Sequence, residues 1–376
     1  MIIFFAKICI IFYLIFLIIL IISWLILKKP PVKSSDLGQG IVFTIIVPVR
    51  NEAKNILSLL LSLEKQTYNS GNFEIIFVND HSKDNTKEII ERFSRTSDLN
   101  IQILELEHQV YLYSPKKIAI MQAIGISKGE YIFTTDGDCV LPPRLLQKYQ
   151  EAFQNLHIKF ISGPVTFLEN QKSYFYTLWE KIQIVEFASL LGTASASIGM
   201  NLPNMCSGAN ICYRKSLFFE VNGYDGNLHL ASGDDEFLMH KISKRYKRGI
   251  TFFKDKETIV LTNACENWGQ FYNQRKRWSS KWKHYDGILP TILAIFIFFS
   301  NFSLLILIVN GSWGFVLLKI VLEIFMIRNV LLFLNKSNAI IYIGLVQFLY
   351  PFYVLLFGLI GLFSSKTYIW KERILK

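Results

Sequence analysis

Between Ile8 and Leu27 the chain runs for twenty residues without a charged side chain and with a single serine, Ser23. As a helix this run covers roughly 30 Å, the thickness of a bilayer core. It continues through Trp24 into Lys28, Lys29 and two prolines, with no small-residue cleavage site, so it reads as a membrane anchor and not as a cleaved signal peptide. The other end is equally apolar. Ile288–Val309, Trp313–Leu334 and Ala339–Phe363 are each long enough to cross a bilayer. The middle segment carries Lys319, Glu323 and Arg328. Lys319 and Glu323, four residues apart, share one helical face and can pair inside a bundle. Pro351 marks a place where the third segment can break.

Composition fits this layout: 51% of the 376 residues are hydrophobic and 18% charged, and the mean hydropathy is +0.31, too apolar for an ordinary soluble domain. An aromatic content of 15% excludes disorder. The expected division is a transmembrane anchor over 1–29, a linker over 30–40, a water-soluble domain over 41–286, transmembrane or interfacial helices over 287–365 and a basic tail over 366–376. Lys28, Lys29 and Lys33 place the soluble domain in the cytoplasm, and Lys366, Lys371, Arg373 and Lys376 favour the same side for the tail. The protein is thus expected to be a multi-pass protein of the cell membrane.

The five cysteines form no CxxC pair, and His81, His108, His157, His229, His240 and His284 form no cluster, so neither a disulfide framework nor a structural zinc site is expected. A formal charge of +11 suits anionic lipid or phosphate-bearing substrates. Nucleic acid is set aside as a partner, because the chain lacks a basic helix or an aromatic RNA-binding motif.

The soluble middle alternates strand and helix. Ile41–Val47, Phe73–Val78, Ile101–Leu106 and Tyr131–Thr135 are short β-branched or aromatic runs, and Glu52–Lys65, Thr86–Phe93 and Lys117–Ile126 carry helical periodicity between them. Such alternation predicts an α/β fold with a mostly parallel sheet whose ligands gather at the carboxyl ends of the strands. Three acidic sites follow apolar runs: Asp80, Asp136 with Asp138, and Asp234 with Asp235. Two carboxylates one residue apart at a strand end can hold a hard divalent cation, although Asp-Gly is also an ordinary turn pair. Asp234 and Asp235 precede a helical stretch, where the macrodipole favours acidic side chains and where a carboxylate can also serve as a general base. Gln274-Arg275-Lys276-Arg277-Trp278 precedes the C-terminal apolar segments as a basic and aromatic interfacial stretch. Tyr174–Leu191 is apolar enough to lie against lipid.

The order Asp80, Asp136-Gly137-Asp138, Asp234-Asp235 and Gln274-x-x-Arg277-Trp278 resembles the membrane-bound family 2 glycosyltransferases, which include cellulose, hyaluronan and poly-N-acetylglucosamine synthases, with ceramide glucosyltransferase as a cousin. IIVPVRNEAKNI and SGANICYRKSLFFEVNGYD resemble further family segments, so the likeness covers about Ile41 to Trp278. It implies a GT-A type nucleotide-sugar-binding domain over 41–286 that acts as an inverting glycosyltransferase on a UDP-sugar. By the same resemblance Pro48, Arg50 and Glu52 border the nucleotide, Asp80 contacts the uracil, and Lys117 lies near the diphosphate. Asp138 is then the main ligand of Mg²⁺ or Mn²⁺ with Asp136 on the ribose or metal side, and Asp235 is the general base. Asp234 stands where the family usually has Glu or Thr, and Gln274, Arg277 and Trp278 would position the acceptor and the diphosphate. The acceptor is expected to be a lipid or a growing polysaccharide. The alternative is a non-catalytic membrane scaffold that senses nucleotide-sugar.

Overall fold

The computed structural model describes residues 1–29, 43–106, 113–169, 174–230, 232–285, 288–363, 368–370 and 373–375. The expected linker over 30–40, Ile41, His108 and the tail lysines Lys366, Lys371 and Lys376 lie outside the described residues. The helices used below are, in chain order, α1 (Ile2–Ile26), α2 (Ile56–Glu64), α3 (Thr86–Ser94), α4 (Pro115–Ile126), α5 (Leu145–Phe153), α6 (Tyr174–Gly199), α7 (Lys215–Glu220), α8 (Asp234–Arg245), α9 (Trp268–Ser279), α10 (Leu289–Val309), α11 (Trp313–Phe333) and α12 (Ile343–Phe363). The strands used below are β1 (Phe43–Val49), β2 (Phe73–Asn79), β3 (Ile101–Glu105), β4 (Tyr131–Thr134), β5 (Phe160–Ser162), β6 (Val165–Phe167), β7 (Ile211–Arg214), β8 (Ile250–Phe252) and β9 (Val260–Thr262). The chain sorts into two compact units. One is Lys28–Leu168 with Asn201–Asn263 and Lys371–Lys376; the other is Met1–Leu27 with Glu169–Met200 and Ala264–Trp370.

The first unit is built on a seven-stranded sheet of order β3-β2-β1-β4-β7-β5-β8. β1 pairs in parallel with β2 on one side and β4 on the other, and β3 extends β2 in parallel. The expected mostly parallel α/β fold is therefore present. β7 is the departure, running antiparallel to both β4 and β5. Ile45, Ile46 and Val47 of β1 and Ile75, Ile76 and Phe77 of β2 are wholly buried, as the continuous apolar runs require of strands covered on both faces. α4 starts with Ser114 as N-cap and Pro115 in its first turn, a pairing that suits a helix start because proline has no N–H to leave unsatisfied. α8 has Asp234, Asp235 and Glu236 in its first turn and Lys244 and Arg245 in its last, matching the macrodipole at both ends.

Beneath the sheet, Asn210 uses every polar atom of its side chain. Its Oδ1 accepts from Tyr149 Oη at 2.6 Å, and its Nδ2 donates to the carbonyls of Pro164 at 2.8 Å and Thr258 at 2.9 Å. This fully satisfied, buried amide ties β6, β7 and α5 to the loop before β9.

The second unit is helical. α1 packs on α10, α6 and α11, and α12 packs on α10, α6 and α9. Among the described residues, four helical segments are long and apolar enough to cross a membrane, over Ile2–Ile26, Phe175–Gly199, Pro290–Val309 and Ser337–Phe363. α11 carries the three charges noted in the sequence and is not among them. Its Lys319 and Glu323 do pair, at 2.8 Å, and Tyr13 of α1 donates to the same carboxylate at 2.6 Å. Pro351 does not break its helix, since α12 runs through it.

α6 departs from the expected layout. The stretch expected to be an apolar surface within a soluble domain over 41–286 is grouped with the helical unit, and its Glu180, Lys181, Gln183 and Glu186 are all buried. The reason is local: each of these polar side chains needs a partner away from water. Lys181, with Lys336 and Asn338, meets Glu169, while Glu186 takes Arg275.

Two outcomes are expected. Asn210→Ala removes both halves of the buried network and strands the Tyr149 hydroxyl and two carbonyls, so the sheet-containing unit should lose about 2–4 kcal/mol, read as a lowered thermal midpoint. Glu169 lies outside the apolar spans; burial alone would raise its carboxyl, but the bonds from Lys181, Lys336 and Asn338 bring it from 4.5 down to about 2. A carboxyl lowered by folding stabilises at pH above its unfolded value and loses that contribution as pH falls toward its folded one. Thermal midpoints should therefore fall on acidification below about pH 4.5, and Glu169→Gln should lower the midpoint near neutrality while flattening that acid limb.

Candidate active site

The carboxyl ends of β1, β2 and β4 form the site's floor, because the chain order reverses around β1 and leaves a crevice between neighbouring connections. The loops after β1 and β2 are each turned by a residue in the left-handed region, Asn51 (φ 51°) and His81 (φ 49°), a conformation that asparagine and histidine tolerate better than most side chains. Side chains then join the two loops. Arg50, 4% exposed, donates to the carbonyls of Asp80 at 2.5 Å and His81 at 3.1 Å. The Asn51 N–H donates to Ser82 Oγ, and Asn51 Oδ1 accepts from the Lys83 N–H. The Ala53 N–H donates to Asp84 and the Glu52 N–H to Thr86 Oγ1. Burial alone would raise the Asp84 carboxyl, yet its bonds from Thr86 and Ala53 hold it below the ordinary carboxylate range.

Pro48 lies within β1, and Asp80, one residue beyond β2, is 4% exposed. Glu52 accepts from Asn55 Nδ2 at 2.9 Å. Gly137, the middle of the Asp136-Gly137-Asp138 turn, lies so close to the β1 loop that a Cβ there would meet Glu52 Cγ at 2.9 Å and Val49 Cγ1 at 3.1 Å. Glycine is therefore required by close approach, and the two carboxylates flank a turn seated on Glu52. Behind the turn, Val140 and Leu261 exchange backbone hydrogen bonds at 2.8 and 3.0 Å, and this brings Thr262 Oγ1 to donate to Asp138 Oδ2 at 3.0 Å.

α8 contributes the second carboxylate pair. Asp235 Oδ2 accepts from the Gly208 N–H and Oδ1 from the Glu236 N–H, both at 2.8 Å, so its orientation is held by two backbone donors. Gly208 is placed in turn by its carbonyl, which accepts from Thr134 Oγ1 at the end of β4 at 3.0 Å. A Cβ on Gly208 would lie 3.1 Å from Asp234 Oδ2, 3.5 Å from Asp235 Cβ and 3.4 Å from Lys116 Nζ. The carboxylates after β4 and those opening α8 are thus brought together.

Lys116, which the motif pattern did not single out, is the lysine that joins them. Its Nζ lies 2.7 Å from Asp136 Oδ1 and 3.3 Å from Asp234 Oδ2. Burial alone would lower its ammonium, but Asp136 and then Asp234 outweigh that and hold it well above the ordinary lysine range. Burial would likewise raise Asp234, and Lys116 and Lys117 together lower it. Lys117 is the lysine that the resemblance sets near the diphosphate. It is wholly buried, its Nζ donates to the Asn227 carbonyl at 2.7 Å and to Asn227 Oδ1 at 3.2 Å, and it lies over the rings of Phe237 and Tyr224. Successive residues on a helix point about 100° apart, so one of the two adjacent lysines faces the core and the other the carboxylates.

Gln274, Arg277 and Trp278 belong to the helical unit, on α9, which Asn267 caps by accepting from the Gln270 N–H at 3.0 Å. The buried member of this run is Arg275. It bonds both carboxylate oxygens of Glu186, at 2.9 and 2.5 Å, donates to Gln274 Oε1, and lies 4.2 Å from the Trp278 ring centroid and 4.4 Å from that of Phe271. Tyr353 Oη donates to the same Glu186 at 2.9 Å. Arg277 is partly exposed, with its buried Nε unpartnered among the described residues.

Asp136 and Asp138 supply the hard oxygen donors that Mg²⁺ or Mn²⁺ prefers. Among the described residues no group of three His, Cys, Asp or Glu side chains forms a closed metal site. A cation held by one or two carboxylates and completed by substrate phosphates and water needs none, so the residues present fit such an ion.

Residues 44–219 match the family model described as Glycosyl transferase family 2. Glycosyltransferase AglE of Haloferax volcanii is 32% identical over 124 residues, which are 33% of this chain and 39% of AglE. Poly-beta-1,6-N-acetyl-D-glucosamine synthase of Staphylococcus epidermidis is 26% identical over 252 residues, 64% of this chain and 54% of that protein. The chain spans about half the length of the curated relatives it matches. The mannosyltransferase PcManGT from Pyrobaculum calidifontis, solved in complex with GDP-Man and Mn²⁺, shares the fold with a TM-score of 0.55 at 16% identity, over 91% of this chain and 95% of that one. The matched segment begins in β1, contains the Asp136-Gly137-Asp138 turn and ends in α7, so these residues are similar to the Glycosyl transferase family 2 domain, and the fold is of the GT-A type.

Proposed function

We propose that the chain is an inverting glycosyltransferase that moves a sugar from a UDP-sugar to a lipid or growing polysaccharide acceptor at the cytoplasmic face of the membrane. The observation that carries this reading is the meeting of two carboxylate pairs around Lys116 at the carboxyl edge of a parallel sheet. Further support comes from a relative named Poly-beta-1,6-N-acetyl-D-glucosamine synthase, and from four segments among the described residues of the helical unit that are apolar enough to cross a bilayer.

Roles follow from position. The loops joined by Arg50, with Pro48, Glu52 and Asp80, form the nucleotide side, where a carboxylate such as Asp80 can accept the uracil N–H. Asp138, with Asp136, would hold a divalent cation, whose chemistry there is to neutralise charge on the departing diphosphate. Asp235 takes the proton of the acceptor hydroxyl as that oxygen bonds to the anomeric carbon from the face opposite the leaving group. The bond from the anomeric carbon to the diphosphate oxygen breaks in the same displacement, so an α-linked donor gives a β-linked product. The two backbone N–H groups on Asp235 fix its direction before the acceptor arrives, which lowers the reorganisation needed at the moment of transfer. Gln274, Arg277 and Trp278 are assigned to the acceptor and the diphosphate, with Arg275 as the buried strut of their helix.

Purified membranes given UDP-sugars and GDP-mannose with Mg²⁺ or Mn²⁺ should release nucleoside diphosphate. Asp235→Asn should lower that rate by about 10²-fold or more while nucleotide binding persists, as expected for loss of a general base. Binding of nucleotide with no transfer from any donor would favour the sensor. Gly137→Ala forces its new methyl toward Glu52 Cγ and Val49 Cγ1, so nucleotide affinity should fall about tenfold, measured by displacement of a fluorescent UDP analogue, while α-helical content by circular dichroism stays unchanged.

A further inference from the structure

The Lys116 ammonium occupies the place a cation would take between the two carboxylate pairs. It is 2.7 Å from Asp136 Oδ1 and 3.3 Å from Asp234 Oδ2, and its side chain is 22% exposed, so it can be approached from solvent. The carboxylate it holds most closely, Asp136, is one of the two that the proposed function gives to the divalent ion. An ammonium and a dication on one carboxylate repel each other, and the repulsion is strong where water is partly excluded. A diphosphate changes the balance, because it brings negative oxygens of its own to which a lysine, a flexible point charge with three donors, can turn.

We propose that Lys116 is a stand-in cation of the donor site: it competes with the divalent ion at Asp136 when no nucleotide is bound and moves onto the diphosphate when the nucleotide arrives, so that ion and nucleotide load together. This rests on the reading that the site takes a nucleoside diphosphate with a divalent cation. Three features support it. Lys116 starts a helix whose entry is stiffened by Ser114 and Pro115, which leaves the long side chain as the part that moves. Lys117 is committed to Asn227 in the core and so does not duplicate the role. Gly208 leaves the space beside Lys116 Nζ without a side chain of its own, since its Cβ would stand 3.4 Å away.

The consequence is a coupling between two ligands, and coupling is reciprocal, so it can be read from either one. The full chain in lipid nanodiscs would be titrated with Mn²⁺ alone and with Mn²⁺ plus saturating UDP, free Mn²⁺ being followed by its paramagnetic resonance. Lys116→Met is expected to bind Mn²⁺ alone about fivefold or more tighter than the wild type, and Mn²⁺ with UDP more weakly, so the factor by which UDP tightens Mn²⁺ should shrink by at least about tenfold. Lys116→Arg keeps the charge and should keep most of the coupling. A merely structural lysine would move both affinities the same way or neither. Unchanged or weaker Mn²⁺ binding by Lys116→Met without UDP overturns the proposal; should that variant fail to fold, Lys116→Gln, which can still bond both carboxylates without a charge, is read by the same criterion. A wild type that binds Mn²⁺ but neither UDP nor GDP overturns the nucleotide-sugar reading and the diphosphate half of this proposal, while the nucleotide-free comparison still decides the competition at Asp136.

Discussion

Strand β1 is the constraint on which the candidate site depends. It is hydrogen-bonded in parallel on both sides, to β2 through its whole length and to β4 through its first four residues. β1 holds one register against each neighbour, with residues buried on both of its faces. That register sets Val49 opposite Asn79 and Ile46 opposite Thr134, which delivers the loop after Val49, Asp80 and the Asp136-Gly137-Asp138 turn to the same edge. Chemistry that needs several acidic groups together is thereby obtained from segments far apart in sequence. Apolar pairing bears the energetic load, and the acidic residues need only follow the strand ends.

Crowding carboxylates has a cost that the sheet alone does not remove. Four aspartates come from one turn and the start of α8, and their like charges repel at close range. Three devices meet this: Lys116 between Asp136 and Asp234, backbone donors on Asp235, and Thr262 on Asp138. They differ in permanence. The backbone donors are fixed by the start of α8 and by Gly208, whereas the lysine is a mobile side chain. The partner of Asp136 is therefore the most easily displaced of the three.

Much of this was legible in the sequence. β-branched runs and helical periods placed β1 to β4 and the helices between them within a few residues, because strands buried on both faces leave a continuous apolar signature. The four acidic and aromatic motifs were also readable, as their order does not depend on packing. Three features were hidden. The phase of α4, which decides between Lys116 and Lys117, is set by its capping start and by the core it meets, and adjacent lysines look alike in a sequence. α6 has enough apolar residues to read as a lipid-facing surface, and only the pairing of Glu186 with Arg275 and of Lys181 with Glu169 reveals why its polar residues are tolerated inside. In the run Gln274 to Trp278, the motif drew attention to Gln274, Arg277 and Trp278, yet the residue buried on Glu186 is Arg275.

That last difference bears on how the helical unit holds its motif. A buried arginine paired through both oxygens of one carboxylate is oriented as well as neutralised, since its planar fork admits few arrangements. Arg275 lies between the Phe271 and Trp278 rings, and Glu186 also accepts from Tyr353 of α12. Three helices, α6, α9 and α12, are therefore joined by one carboxylate. Desolvation makes such a pair a poor source of net stability compared with apolar packing, but breaking one partner leaves a buried charge that the bundle cannot easily absorb. The pair thus acts chiefly on position. It fixes the rotation of α9, and with it the directions in which Gln274, Arg277 and Trp278 leave the helix.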